Sequence, residues 1–97
     1  MVRYLVLANF TEQGIKNLGE TVNRADAFQE AARKAGVTVK AVYWTVGRFD
    51  GALVIEAPDD ASAVALVAKL ASAGNVRTQT LRAFDRGEME GIIGKAR

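Results

Sequence analysis

The side chains best suited to hold a small molecule are Asn9, Trp44, Asp50, Arg77 and Gln79. An amide beside a guanidinium can bind an anion or a carbonyl oxygen, and an indole offers an apolar wall. Asp50 could act as an acid or a base. Each residue also has a structural explanation, because Asp commonly accepts hydrogen bonds from turn N–H groups and an aromatic residue often packs in a core or interface.

The chain contains no Cys and no His. Disulfides, thiol nucleophiles, Cys-His zinc sites, histidine bases and Ser-His-Asp triads are therefore excluded. Any chemistry must use carboxylates, Lys, Tyr, hydroxyls or a borrowed cofactor, and we expect no cofactor or metal of the chain's own. The pair Asp59-Asp60 supplies too few oxygens for a hard cation, so we expect it to cap a helix.

Charge and hydropathy narrow the class of partner. The formal net charge is +2, from 13 basic and 11 acidic residues that are mixed along the chain, and the longest basic cluster is Arg33-Lys34. A surface that binds nucleic acid would concentrate its basic residues, so we expect no nucleic-acid partner. No apolar run reaches the ~20 residues that cross a bilayer, and the N-terminus lacks a signal-peptide pattern. We therefore expect a cytoplasmic protein with no membrane contact.

The elements that must position these side chains alternate along a single predicted domain, residues 1–97. Segments rich in β-branched and aromatic residues predict strands at 2–10, 37–47, 51–57 and 75–84. Helical spacing of apolar residues predicts helices over 12–18 and 22–35, from the Asp59-Asp60 pair to about 73, and after Asp85. The order βαββαβ plus a terminal helix predicts an α+β, ferredoxin-like sandwich with a four-stranded antiparallel sheet.

Polar residues mark where the helices should begin. Thr11 and Thr21 are expected to cap the first two helical pieces, and Asp85 with Glu88 has the spacing of a capping box. Arg77 and Gln79 should share one side of the fourth strand, near Asn9 on the first. This polar strand is either part of a wet, ligand-binding cleft or an outer edge of the sheet.

Both faces of the first strand are largely apolar, which is unexpected if one face of the sheet meets water. With both connecting helices on one face, the other would expose a larger apolar patch than soluble monomers usually tolerate. We therefore expect two sheets to pack face to face in a homodimer, or in a larger homo-oligomer. The segment 61–73 is apolar or small around most of its circumference, so its outer side also needs a cover.

Four segments resemble the GYD-domain family of small bacterial proteins: "YLVLANFTEQGI", "VYWTVGRFD", "EAPDD" and "GNVRTQTLRAF". The family's Gly-x-Tyr-Asp turn stands here as Gly47-Arg48-Phe49-Asp50, with Phe in place of Tyr. The resemblance implies a dimeric α/β barrel, a group that includes cofactor-free oxygenases, haem enzymes and effector domains of leucine-responsive-type regulators. No helix-turn-helix region precedes the domain, so a complete DNA-binding regulator is not expected. The GYD-domain family supplies no activity that the resemblance could transfer to this chain.

Three functions stay open from the sequence. The first is a homo-oligomeric protein that binds a small organic molecule in the dimer cleft. The second is a cofactor-independent oxygenase or isomerase that uses Trp44, Asn9 and Asp50 around an apolar substrate. The third is purely structural self-assembly. A deep, partly polar pocket would favour the first two, and a cleft filled by side chains would favour the third.

Overall fold

A computed structural model describes residues Met1–Arg97 as a four-stranded antiparallel sheet with two helices on one face. The strand order is β2-β3-β1-β4, so β2 and β4 form the edges. The elements follow one another as β1 (Val2–Phe10), α1 (Glu12–Lys16), a 3₁₀ turn (Leu18–Glu20), α2 (Thr21–Lys34), β2 (Thr38–Trp44), β3 (Gly51–Ala57), α3 (Asp60–Ser72), β4 (Val76–Ala83) and α4 (Arg86–Ala96). The predicted α+β ferredoxin-like fold is confirmed.

Most of the predicted helix starts are confirmed. The Thr11 hydroxyl accepts the N–H of Gly14 at 3.1 Å, and the Asp59 carboxylate accepts that of Ser62 at 2.7 Å. Asp85 and Glu88 form the reciprocal bonds of a capping box. Such bonds satisfy N–H groups that a helix cannot pair internally.

The prediction that Thr21 caps α2 is wrong. The residue before the helix is Glu20, which makes no side-chain capping bond, and Thr21 is already the first helical residue. Its hydroxyl instead accepts a hydrogen bond from the indole N–H of Trp44 at 3.0 Å. The Thr21 hydroxyl, which the local sequence predicts to be a cap, is therefore engaged by a residue 23 positions away.

Gly14 allows α1 to lie directly against the chain that enters β4. A Cβ atom placed at Gly14 would lie 2.1 Å from the backbone oxygen of Asn75. The same oxygen accepts the N–H of Thr11 at 3.0 Å. The glycine weakens the helix locally but permits this close approach, which fixes the end of β1 beside the start of β4.

The buried core is a single layer between the helices and the sheet. Val6 and Ile55 are fully buried at its centre. The remaining buried side chains come from both strands and helices: Tyr4, Phe28, Ala32, Val37, Ala57, Ala63, Leu66 and Val67. We call this side of the sheet the covered face.

The opposite side of the sheet, which we call the open face, is not covered by α2 or α3, and only the first turn of α4 reaches it, through the ion pairs of Arg3. Its apolar residues are Leu5, Leu7, Ala41, Tyr43, Ala52, Val54 and Leu81, which alternate with the core residues along their strands. Leu5 is 39% exposed, Leu81 43% and Tyr43 62%. Leu5 lies between Val54 and Leu81 in the register, so the exposed apolar groups form one continuous band.

The terminal helix α4 extends away from the core. None of its residues is buried, and its apolar residues Met89, Ile92 and Ile93 are exposed. Arg3 holds its first turn through ion pairs to Asp85 at 3.5 Å and Glu88 at 3.2 Å. The radius of gyration is 14.5 Å, whereas a compact domain of this length has about 12.5 Å.

Candidate functional site: a cavity between helices and sheet

A cavity of about 310 Å³ lies on the covered face, between α2, α3 and the sheet. β1 and β3 are antiparallel, and each is followed by one of the two helices, so α2 and α3 run in opposite directions. The N-terminal half of α2 consequently lies opposite the C-terminal half of α3, and both line the cavity. The volume is at the lower end of the range of small-molecule sites, about 300–1,000 Å³.

Small side chains on facing elements explain why this space is not filled. Ala8 of β1, Gly51 of β3, Ala25 and Ala31 of α2, and Ala73 after α3 all line the cavity. Phe28 and Leu66 also line the cavity, and with Ile55 they belong to the buried core on which it borders. The cavity therefore results from the residue sizes at one end of the sandwich.

Trp44 forms an aromatic wall of the cavity, and a β-bulge determines its direction. The register of β2 against β3 shifts between Val39 and Ala41, so Val39, Val42 and Trp44 oppose residues of the covered face. Tyr43 lies opposite Ala52 and is largely exposed on the open face. The hydrogen bond from Trp44 to Thr21 ties the indole to the first turn of α2.

Asp50 lines the cavity at the end of the hairpin. Its carboxylate accepts the N–H of Phe10 at 2.9 Å, and its backbone N–H donates to Ala8 at 2.9 Å. Across the hairpin, its carbonyl oxygen accepts the N–H of Thr45 at 2.9 Å. Asp50 therefore joins the hairpin to the end of β1, a structural role that leaves the acid-or-base interpretation as a hypothesis.

Two cationic residues stand on the helix side of the cavity. Arg24 donates to the carbonyl oxygen of Asn17 at 2.8 Å, and it makes no ion pair. Lys69 of α3 also lines the cavity and has no carboxylate partner. With Asp50 on the sheet side, these are the only charged side chains of the lining.

The structure divides the five residues that the sequence singles out. Trp44 and Asp50 line the cavity, whereas Asn9, Arg77 and Gln79 do not. Asn9 lies opposite Arg77 in the β1–β4 register, as expected, and Gln79 lies opposite Leu7 on the same open face. The Asn9 amide donates to the carbonyl oxygen of Arg48 at 2.9 Å. β4 is an edge strand, the second of the two alternatives for its polar residues.

Sequence reasoning did not identify Thr21, Arg24 and Lys69 as cavity residues. Lys69 is the only charged residue between 61 and 73, which is a signal that the sequence does contain, whereas Arg24 is one of several charged residues of α2. Locating them at one cavity requires the antiparallel arrangement of α2 and α3, and the Thr21 contact requires the bulge in β2.

A second polar cluster lies at the far end of the sheet. Glu56 accepts two bonds from Arg3, at 2.7 and 3.1 Å, and this pairing raises the pKa of the Arg3 guanidinium. Tyr4 donates its hydroxyl proton to Asp60, which raises the pKa of the Tyr4 phenol. The Arg82 guanidinium lies 4.6 Å from the centre of the Phe84 ring. These contacts tie β1, β3, β4 and the start of α3 together.

The structure contains no cluster of three or more acidic residues that could hold a metal ion. None of its helices combines the length and the apolar composition that a membrane span requires.

Comparison with known proteins identifies relatives along nearly the whole chain. The GYD domain family matches residues 4–93. A protein of Thermus thermophilus, described as "Glutamine synthetase and cystathionine beta-lyase binding protein", is 37% identical over 85 residues. That alignment spans 87% of this chain and 90% of the relative. The description states what that protein binds.

Two solved structures share the fold. The crystal structure of TTHA0845 from Thermus thermophilus superimposes with a TM-score of 0.57 at 26% identity, over 88% of this chain and 95% of that one. The crystal structure of MtbAldR gives a TM-score of 0.63 at 17% identity, over 88% of this chain and 52% of that one. At that identity, the second likeness concerns the fold alone.

Proposed function

This chain belongs to the GYD domain family, and from this premise we propose that it is a binding protein that holds a small organic molecule in the cavity between α2, α3 and the sheet. The observation that carries the proposal is the cavity itself. Of the 21 residues that line it, 15 are hydrophobic. Trp44 contributes a flat apolar wall, and a few polar groups stand at the rim. This combination is typical of sites for small organic ligands.

The proposed site lies within one chain, whereas the sequence alone suggested the cleft between two chains. Asn9, Arg77 and Gln79 are therefore not part of it. The hydrogen-bonded role of Asp50 favours binding over acid-base catalysis, because its carboxylate already accepts a backbone N–H.

Trp44 provides the experiment, because it is the only Trp of the chain and lines the cavity. Cyclohexylmethanol, an apolar probe that does not absorb where Trp is excited, should change the Trp44 fluorescence in a saturable titration. Ala25→Leu would place a larger side chain in the cavity and should weaken this binding at least about tenfold. Ala61→Leu, the same change at an exposed position outside the cavity lining, is the control.

Saturable binding by the wild type and Ala61→Leu, with loss in Ala25→Leu, would support the proposal. The folded state of Ala25→Leu is checked by circular dichroism. No saturable change in the wild type, or equal affinity in all three proteins, would contradict it.

We also propose that the protein is a homodimer, or a larger homo-oligomer, formed through the open face. The support is the band that runs from Val54 through Leu5 to Leu81, which one chain leaves partly exposed. Covering apolar surface gains about 25 cal/mol per Å². An isologous dimer would bring each band against its copy.

A second candidate function is binding to metabolic enzymes, which the name of the 37% identical relative favours. The test is surface plasmon resonance with immobilised glutamine synthetase and cystathionine β-lyase. A saturable complex with either enzyme, and none with an unrelated enzyme of similar charge, would support it. No complex with either would remove this candidate without affecting the cavity proposal.

A further inference from the structure

The charged residues of the cavity are arranged on opposite walls. Arg24 and Lys69 stand on the helix side, and Asp50 stands on the sheet side. The Asp50 carboxylate accepts the N–H of Phe10, whereas neither cation has a carboxylate partner in the chain. The helix side therefore carries two positive charges that no carboxylate of the protein neutralises.

The two cations differ in how firmly they are held. Arg24 is anchored by its hydrogen bond to the carbonyl oxygen of Asn17, so its guanidinium is fixed at the C-terminal end of α1. Lys69 makes no side-chain hydrogen bond and extends from the C-terminal half of α3. A fixed guanidinium and a movable ammonium that line the same cavity can hold an anion of varied shape, because the ammonium adjusts to it.

We propose that the ligand is an amphipathic carboxylate, with its apolar body in the cavity and its negative charge between Arg24 and Lys69. This inference rests on the proposed function, because it specifies the ligand of the same cavity. A carboxylate fits better than a cation, since the lining carries two basic side chains and only one acidic one, and neither basic group has an ion pair within the chain. The apolar body would contact Trp44 and the alanines that create the space.

Three probes with the same ring test the sign of the charge. Cyclohexanecarboxylate, cyclohexylmethanol and cyclohexylmethylamine are titrated at about pH 7 against Trp44 fluorescence. We expect the carboxylate to bind about tenfold more tightly than the alcohol, because a hydrogen bond to a charged group gains more than a neutral one. The ammonium form of the amine should bind more weakly than the alcohol.

Substitutions then test which basic residues bind the carboxylate group of the probe. Lys69→Met should weaken cyclohexanecarboxylate binding about threefold to tenfold and leave cyclohexylmethanol binding unchanged. Lys69→Arg keeps the charge and should retain the preference. Lys34→Met removes another helical lysine that has no ion pair and lies outside the cavity, so it should change nothing. Arg24→Lys tests the anchored group while retaining its charge, and should weaken the carboxylate only.

The outcomes separate the two proposals. Equal affinity for the carboxylate and the alcohol would overturn the charge inference while the cavity proposal stands. Tighter binding of the amine would overturn it too. A carboxylate preference that persists in full in Lys69→Met, which removes a charge, would place the anion elsewhere and overturn the assignment. No binding of any probe would overturn both proposals.

Discussion

The two faces of the sheet are built from alternate residues of the same strands, yet the helices of one chain cover only one of these faces. On the covered face, Val6 and Ile55 are fully buried beneath α2 and α3. On the open face, their neighbours Leu5 and Val54 have no helix above them. Apolar alternation alone therefore does not distinguish a core from an interface. The order of the elements does, because it places both connecting helices on one side.

The comparison also explains where a ligand site can form. The covered face has walls on two sides, so small residues such as Ala8 and Ala25 leave a space between the helices and the sheet. The open face has one wall, and its polar residues Arg77 and Gln79 lie at an edge of the sheet. This difference is why we propose ligand binding on the covered face and self-association through the open one.

The largest expected effect comes from placing a charge in the open face. Leu5→Lys should weaken self-association at least about 100-fold, because a dimer would bury two unpaired ammonium groups. Each chain should keep its fold, since Leu5 is exposed to water in the single chain. Sedimentation velocity over a dilution series measures the association constant. Gln29→Lys on the exposed side of α2 is the control, and equal association of both variants would mean that the open face is not the interface.

A matched pair of truncations compares the faces directly. In the Leu5→Lys background, where chains should be single, Val6→Ala should cost about 2 kcal/mol of unfolding free energy because it leaves a gap in the core. Val54→Ala should cost less than half as much, since Val54 is only half-buried in one chain. Urea unfolding supplies both values. Equal costs would show that the two faces are equally covered in the separated chain.

The smallest effects concern the helix caps in acid. The N–H of Ser62 lowers the pKa of Asp59, and the N–H of Glu88 lowers that of Asp85. A lowered pKa in the folded state gives stability that is present above the unfolded value, about 3.9, and is lost as pH falls through the folded value. The urea midpoint should therefore decrease below about pH 4.

Asn caps a helix but does not titrate, so replacing one Asp at a time shows which cap causes the acid response. Asp59→Asn should reduce the acid-dependent change in the urea midpoint, because α3 covers the core. Asp85→Asn should alter only the helical circular dichroism signal, because α4 buries no residue. An acid response of the midpoint that both variants retain in full would contradict this assignment.

Local features make much of the fold predictable. The bounds of β1 and β3, the caps at Thr11 and Asp59 and the capping box at Asp85 all follow from short-range patterns. The apolar pattern predicts β2 over 37–47, but the strand spans only Thr38–Trp44, because the chain after Trp44 turns into the hairpin.

The site is less predictable because it depends on contacts between distant elements. A bulge in β2 decides that Trp44, and not Tyr43, meets α2. Helix direction brings Arg24 and Lys69 to the same cavity, which no spacing in the sequence indicates. Residue types alone suggest Asn9 and Arg77, which do lie opposite each other, but on the open face.

Native mass spectrometry of the freshly purified protein at low micromolar concentration tests the central claim most directly. That claim is that a second copy covers the open face, which one chain leaves exposed. We predict an assembly of two chains, each of 10.4 kDa, or of a larger even number, and single chains for Leu5→Lys. A wild-type protein that remains a folded single chain at this concentration would contradict the account.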